Sequence, residues 1–469
     1  MKTKIKRMLG VLLAVVILLG IVGCSNTESS SQASSGEQGQ SSSQDQQNSA
    51  PEEIEITLNT WRTDINQLFS EPEYYPQDLA DKGIKVTCTF IASDKYEEQM
   101  KADWNAGMAA DVMTIQMGSQ YLESIPYLQE LTPLIDASFN DPDWKTKYFK
   151  DGAFAGIDDL ADGTYCLPIG IGVQYFMLCN QDKFDQFGLE IPTTYDELKA
   201  VSEVFRQNDL VPVSWGFKEP DQSVTLLRCI ISDFDPDCWY GLEYTGEASF
   251  TDEIPTTAVN IMKEMLDTGI LNENFVASTP SDAQDGFYQG NAAMTINGGW
   301  MLGTYTDDKY EEWIKNMNIV LSPLPDFNGD GKPTPVVAGP NVAFSIPTTT
   351  PEEKQSAAFE VVRSCTTGDG AKFLLDCLQI LPSTLKDYEP KIESLLSEHE
   401  IDEVKSHLET MDEYISTSLP PYRIFNPIVK SETFVALGEI LSNQTDVDSA
   451  LAALEENVKD SREQYNYFK

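Results

Sequence analysis

The sequence predicts an α/β protein whose folded part divides into two domains, and three observations predict it. The stretch from about Pro51 to Lys469 is longer than one ordinary domain and suits two. Its first folded segment, Glu53 to Trp61, alternates apolar and polar residues as a strand does. Ile84 to Phe90 does so again, with helix-compatible sequence between them, so the fold opens β-α-β. Further on, Ala292 to Ile296 is a short apolar run between Gly290-Asn291 and Asn297-Gly298-Gly299, which reads as a buried strand closed by a turn, and Trp300 follows at once. An indole just past the C-terminal end of a buried α/β strand sits where open sheets bind ligands, and its flat face suits the C–H face of a pyranose.

The first residues give an address. Lys2, Lys4, Lys6 and Arg7 precede an apolar run from Met8 to Gly23, a charged region followed by a hydrophobic one too short for a comfortable membrane span. The order Ile21-Val22-Gly23-Cys24 resembles a bacterial lipobox, in which the cysteine becomes the lipidated first residue of the mature chain. Residues 1–23 are therefore read as a lipoprotein signal peptide. Residues 24–50 carry the lipidated Cys24 and a Ser- and Gln-rich tether with no large apolar residue, which cannot bury a core. Fully extended, such a tether reaches roughly 85 Å.

Several later strands end in polar or aromatic residues that read as ligand-binding candidates. Trp61, Arg62 and Asp64 follow the first strand. The helical spacing of Tyr96 to Met108 stops at Gly107, and the next strand, Ala110 to Ile115, carries Asp111 near its start and leads to Gln116 and Gly118. Gly163 to Asn180 contains a strand that pauses at Gly170 and Gly172 and continues through Gln174. Thr193 or Thr194 would cap the helix that begins near Tyr195. Val211 to Phe217 is a strand containing Trp215, Trp239 lies in a later loop, and Thr257 to Gly269 is an amphipathic helix closed by glycine. Val336 to Pro340 and Val342 to Ile346 read as two strands, Glu352 to Ser364 and Asp446 to Tyr465 as helices, and Tyr422 as a last aromatic candidate.

Phe287, Gly290, Ala293, Met294, Gly299 and Trp300, spaced as they are here, resemble the signature of the family 1 extracellular solute-binding proteins, in the maltose-binding-protein-like branch. Gly163 to Pro168 and the Pro192-Thr193-Thr194-Tyr195-Asp196-Glu197 run resemble other parts of that family, with Ala110 and Tyr195 standing where its members usually have proline and tryptophan. The resemblance implies a type II periplasmic-binding-protein fold: two α/β lobes joined by a multi-strand hinge, with the ligand cleft between them. Lobe 1 would comprise residues 51–169 and 333–382, and lobe 2 residues 170–332 and 383–469, with Pro168 to Gly172 as the first crossing and Leu381-Pro382-Ser383 as the last. It further implies a sugar receptor of an ABC importer, with a carbohydrate ligand, permease transmembrane subunits as partners, no cofactor, and a place on the extracellular face of the membrane. A monomer is expected.

Composition narrows the alternatives. A formal net charge of −43 opposes binding to nucleic acid and other polyanions. Carboxylate pairs arise by chance among 75 acidic residues, so their presence cannot argue for a glycoside hydrolase, the competing class. The two histidines, His399 and His407, lie in a charged helical stretch and read as solvated surface. Asp326, Asn328 and Asp330 open like a calcium loop, but Val337 stands where a bidentate Glu is needed, and a plain turn is the preferred reading. Seven cysteines besides Cys24 leave an odd thiol, and Cys229 and Cys238 could pair across a loop. A receptor for a polyol or glycerol phosphodiester, or a surface lipoprotein with no transport role, completes the set of readings.

Overall fold

A computed structural model describes residues 53–465, apart from 151, 155–156, 159–162, 308, 316, 378–383, 393–395, 417–423 and 425. The expected signal peptide and tether, Cys24, Leu381-Pro382-Ser383 and Tyr422 thus lie outside the described residues. Residues 51–469 form a single contact unit.

Among the described residues, eight strands form the sheet: β1 (Ile54–Thr60), β2 (Ile84–Phe90), β3 (Val112–Gln116), β4 (Leu167–Asn180), β5 (Val211–Ser214), β6 (Ala292–Gly298), β7 (Ile319–Pro323) and β8 (Val337–Ser345). They run in the order β2-β1-β3-β8-β4-β6-β5, with β7 pairing β4 as well. β1, β2 and β3 are parallel, as the β-α-β opening predicts, and β5 is parallel to β6. β4 runs antiparallel to all three of its neighbours.

β4 changes partners along its length. On one side Leu167 to Gln174 pair with β8 and Phe176 to Asn180 with β7, while Gln174 and Phe176 to Cys179 pair with β6. The change comes at Gln174–Phe176, past the glycines at 170 and 172. Gly172 pairs with Gly339, whereas the register passes over Gly170, which donates its N–H to Thr384 Oγ1 at 3.3 Å and holds φ at +82°, a backbone setting that needs glycine. The two strands expected at Val336 to Ile346 are one strand, β8. Pro340 does not break it because β3 ends level with Val342, so at Pro340 β8 has a partner on the β4 side only.

Helices cover both faces. Thr194 caps the helix Tyr195–Gln207 in a capping box: its hydroxyl accepts from the Glu197 N–H at 3.2 Å and Glu197 accepts from the Thr194 N–H at 3.1 Å. The other expected helices appear as Ser93–Ala106, Glu253–Asp267, Glu352–Thr367 and Val447–Gln464.

The apolar residues gather in three cores. One holds Ile56, Leu58 and Val112 together with Ile171, Val173, Phe176 and Leu178 of β4, under the helices Glu352–Thr367 and Glu398–Ser416. The second holds Tyr175, Met177 and Cys179 from the other face of β4, with Trp215, Met294 and the helices Pro220–Phe234 and Pro427–Leu441. The third surrounds Tyr96, Ile115 and Tyr121 and takes in Tyr244. The seven cysteines of the described residues are all free thiols, Cys229 and Cys238 included.

Candidate functional site

The register of the sheet locates an interval where strand ends face one another. β3 ends at Gln116, level with Val342 of β8 and hence with Ile169 of β4. β6 runs toward the same part of β4 from the other side and ends at Gly298, level with Gln174. Five steps along β4, from Ile169 to Gln174, separate the two ends, about 17 Å at about 3.4 Å per residue. Gly172, paired with Gly339, lies in the floor of that interval. The segments that follow the strands turn there: Trp61 and Arg62 after β1, Met117-Gly118 after β3, Trp215 after β5 and Gly299-Trp300 after β6. C-terminal strand ends that converge in this way are where open α/β sheets hold ligands.

Gln174 marks the edge of the interval. Val173 and Phe176 both pack in the first core, so the register shift between Gln174 and Phe176 releases two consecutive side chains from that face. A bulge of this kind re-aims side chains next to sites. Tyr175 enters the second core, while Gln174 is 1 % exposed and its Oε1 has no hydrogen-bond partner. A buried amide oxygen left without a donor costs free energy, and a ligand hydroxyl would relieve it.

Trp300 begins the 3-10 helix Gly299–Thr306. Its ring folds back over Gly298, where a Cβ would lie 2.4 Å from the indole and 2.7 Å from the Val173 carbonyl oxygen, so only glycine fits. The ring meets Tyr175 edge to face at 6.1 Å and remains half-buried. Trp61, also half-buried, packs on Tyr96 at 4.9 Å.

Arg62 and Asp64 are matched to each other. The guanidinium donates to both carboxylate oxygens, at 3.0 and 2.7 Å, and Asp64 also accepts from the Ile65 N–H. Gln116 is half-buried, and its N–H donates to Gln120 Oε1 at 2.6 Å. Gly118, at φ +102°, turns the chain into the helix Ser119–Ser124.

Three expected residues belong elsewhere. Asp111 precedes β3, at the end of the strand away from the interval. Its carboxylate accepts from the Thr57 N–H and hydroxyl and from Lys354 Nζ, each at 2.9 Å, and ties β1 to the helix Glu352–Thr367. Trp239 is 2 % exposed, with its indole N–H donated to Glu243 at 2.7 Å. Trp215 is 1 % exposed and lies against Phe275 at 5.3 Å, which denies a ligand its face. The Asp326 loop is a turn: Asp326 accepts from the Gly329 and Gly331 N–H groups, Asn328 from Asp330, and Asp330 from Lys332. His407, read from sequence as solvated, is 3 % exposed, whereas His399 is exposed.

Tyr175 escaped the sequence reading, although it adjoins Gln174; only the bulge places both residues off the first core. Tyr240 and Tyr244 also escaped it, because their ring contact at 5.3 Å and their packing into the Tyr96–Tyr121 core depend on distant segments. A pocket of about 720 Å³ between Arg206 and Asn274 lies at the opposite, N-terminal end of β5 and is surface-turn space.

Residues 68–372 match the model of the bacterial extracellular solute-binding protein family. An uncharacterized ABC transporter extracellular-binding protein of Pyrococcus horikoshii is 23 % identical over 222 residues, 47 % of this chain and 48 % of that protein. A probable sugar-binding periplasmic protein of Brucella suis is 22 % identical over 283 residues, 55 % of this chain and 60 % of its own. The chain thus spans about half to three fifths of the length of these curated relatives. The maltose-bound MalE3 of T. maritima superimposes with a TM-score of 0.70 at 17 % identity, covering 87 % of this chain and 99 % of that one, which establishes the type II periplasmic-binding-protein fold. With its family model matched across the main body of the chain, this protein belongs to the bacterial extracellular solute-binding protein family.

Proposed function

We propose that this chain is the solute receptor of an ABC importer, that it binds a neutral mono- or oligosaccharide without changing it, and that Cys24 anchors it by lipid to the outer face of the membrane. The observation that carries the reading is the half-buried Trp300 indole just past the end of β6, a strand end that points toward the end of β3 across the short floor of β4. The half of the sheet led by β1–β3 and the half led by β5–β6 act as two lobes, with β4 and β8 as shared hinge strands that bend when the lobes close on the sugar. Trp300 and Trp61 supply apolar plates, and Gln174 Oε1, Gln116 and the Arg62–Asp64 pair supply hydrogen bonds. A relative that is a probable sugar-binding protein in Brucella suis and a maltose-bound structural neighbour from T. maritima support a sugar over other solutes.

Charge pairing favours a neutral ligand. Arg62, the cation among the candidate ligand-binding residues, is held bidentate by Asp64 and so is already matched. A phosphodiester would have to break such a pair, which costs more than a sugar hydroxyl does.

The test is a thermal-shift and calorimetric screen of protein lacking residues 1–24 against maltotriose, xylotriose, chitotriose and glycerophosphocholine. A sugar at about 100 times its Kd is expected to add about 2.7 kcal/mol of stability. Stabilisation by glycerophosphocholine alone would replace the sugar reading, and chromatographic evidence of sugar cleavage would replace the receptor reading. For the anchor, Cys24→Ala is expected to release the protein into the medium or leave it unprocessed; unchanged membrane attachment would exclude lipidation.

A further inference from the structure

The 3-10 helix Gly299–Thr306 faces two ways. Trp300 in its first turn packs on the second core, whereas Met301, Leu302 and Tyr305 enter the first. At about 2.0 Å of rise per residue, Tyr305 stands about 10 Å along the helix from Trp300. The Tyr305 hydroxyl donates to Glu403 Oε2 at 2.8 Å and lies 3.1 Å from His407 Nε2, both on the helix Glu398–Ser416. The other oxygen of Glu403 accepts from the Ile319 N–H of β7 at 2.6 Å. A phenol has one proton to give. With that proton on Glu403, the Tyr305 oxygen must accept from His407, which fixes the imidazole as the neutral tautomer with its proton on Nε2.

We infer that Glu403, Tyr305 and His407 form a hydrogen-bonded relay that positions Trp300, by holding its 3-10 helix against β7 and the helix Glu398–Ser416. All three residues are buried, at 8, 6 and 3 % exposure. A pocket of about 320 Å³ lined by His399, Asp402, Ser406 and His407 gives solvent protons a route to them. The titratable groups around the relay are Glu400, which acts on both Tyr305 and Glu403, and His399 and Asp402 at the pocket rim. Tyr288 borders Tyr305 on the far side, and β7 offers only the uncharged Ile319 to Pro323.

Acid breaks this relay at both ends. Burial pushes His407 down to about 4 and pushes Glu403 up. As pH falls toward 4, Glu403 takes a proton and becomes a neutral acid that can donate as well as accept, which weakens its hold on the Tyr305 hydroxyl, and the imidazole becomes a buried cation. The sign for stability follows for His407: the unfolded chain binds its proton near pH 6.5, so the contribution of the neutral imidazole is present above 6.5 and is lost as pH falls toward 4.

That Trp300 serves a ligand rests on the proposed function; its coupling to the relay does not, and the test is read without ligand. Incorporation of 5-fluorotryptophan gives one fluorine resonance per tryptophan, and Trp300→Phe assigns that of Trp300. The Trp300 resonance is expected to move on acidification toward pH 4. In Tyr305→Phe it is expected to be displaced already at pH 7 and to lose the acid response, while His399→Gln leaves both unchanged. An acid response that survives in Tyr305→Phe overturns the proposal. Should that variant fail to fold, the double variant Glu403→Gln/His407→Gln keeps hydrogen-bonding groups but cannot titrate. A flat pH profile there supports the relay, and a persistent acid shift overturns it.

Discussion

Trp215 and Trp300 look alike in sequence, each following a buried strand, and in the fold each sets its ring edge-on to Tyr175, at 6.4 and 6.1 Å. Their surroundings differ. Phe275 and the second core close over Trp215, whereas Trp300 lies on the bare backbone of Gly298 and stays half-buried. A strand end sets where an indole goes. Whether its face remains available depends on what a separate segment brings to cover it, here the turn at Phe275.

The comparison can be broken by measurement. Trp215→Ala empties a core site and is expected to cost about 3–5 kcal/mol of stability in chemical denaturation; a loss no greater than that of Trp300→Ala would remove the distinction. Trp300→Ala is expected to cost about 2–4 kcal/mol of sugar affinity in calorimetry, by the usual size of a hot-spot truncation, with the fold intact. Wild-type affinity there would return Trp300 to the core. Gly298→Ala sharpens the contrast, since its methyl must displace either the indole or the Val173 carbonyl. It is expected to cost about 1–3 kcal/mol, as overpacking does, and to shift Trp300 fluorescence while sparing Trp215. Thr194→Ala removes a capping box remote from both rings and is expected to cost about 1 kcal/mol of stability, with sugar affinity unchanged.

Local chemistry was legible where the signal is local. The Thr194 cap depends on a residue and its partner three positions on, and the strand Ala292 to Gly298 on a run of apolar residues bounded by turns. Asp111 was misread because position near a strand says nothing about which end of it is nearer the ligand; its carboxylate serves Thr57 and Lys354. His407 was misread because a charged helical stretch still has one face that packs, and Tyr305, 102 positions away, covers it.

The sequence by itself determined the α/β class, the opening parallel pair, five of the longer helices with the Thr194 cap, and the family, because each depends on periodicity or spacing within a short stretch. Only the tertiary structure decided that β8 runs unbroken through Pro340, that β4 changes partners at Gln174, and that Gln174 and Tyr175 leave the first core together. The same holds for the covering of Trp215 and the burial of His407. Each of these rests on pairing between segments far apart in the chain, and the register of such pairing is set by how whole faces pack rather than by any local pattern of residues.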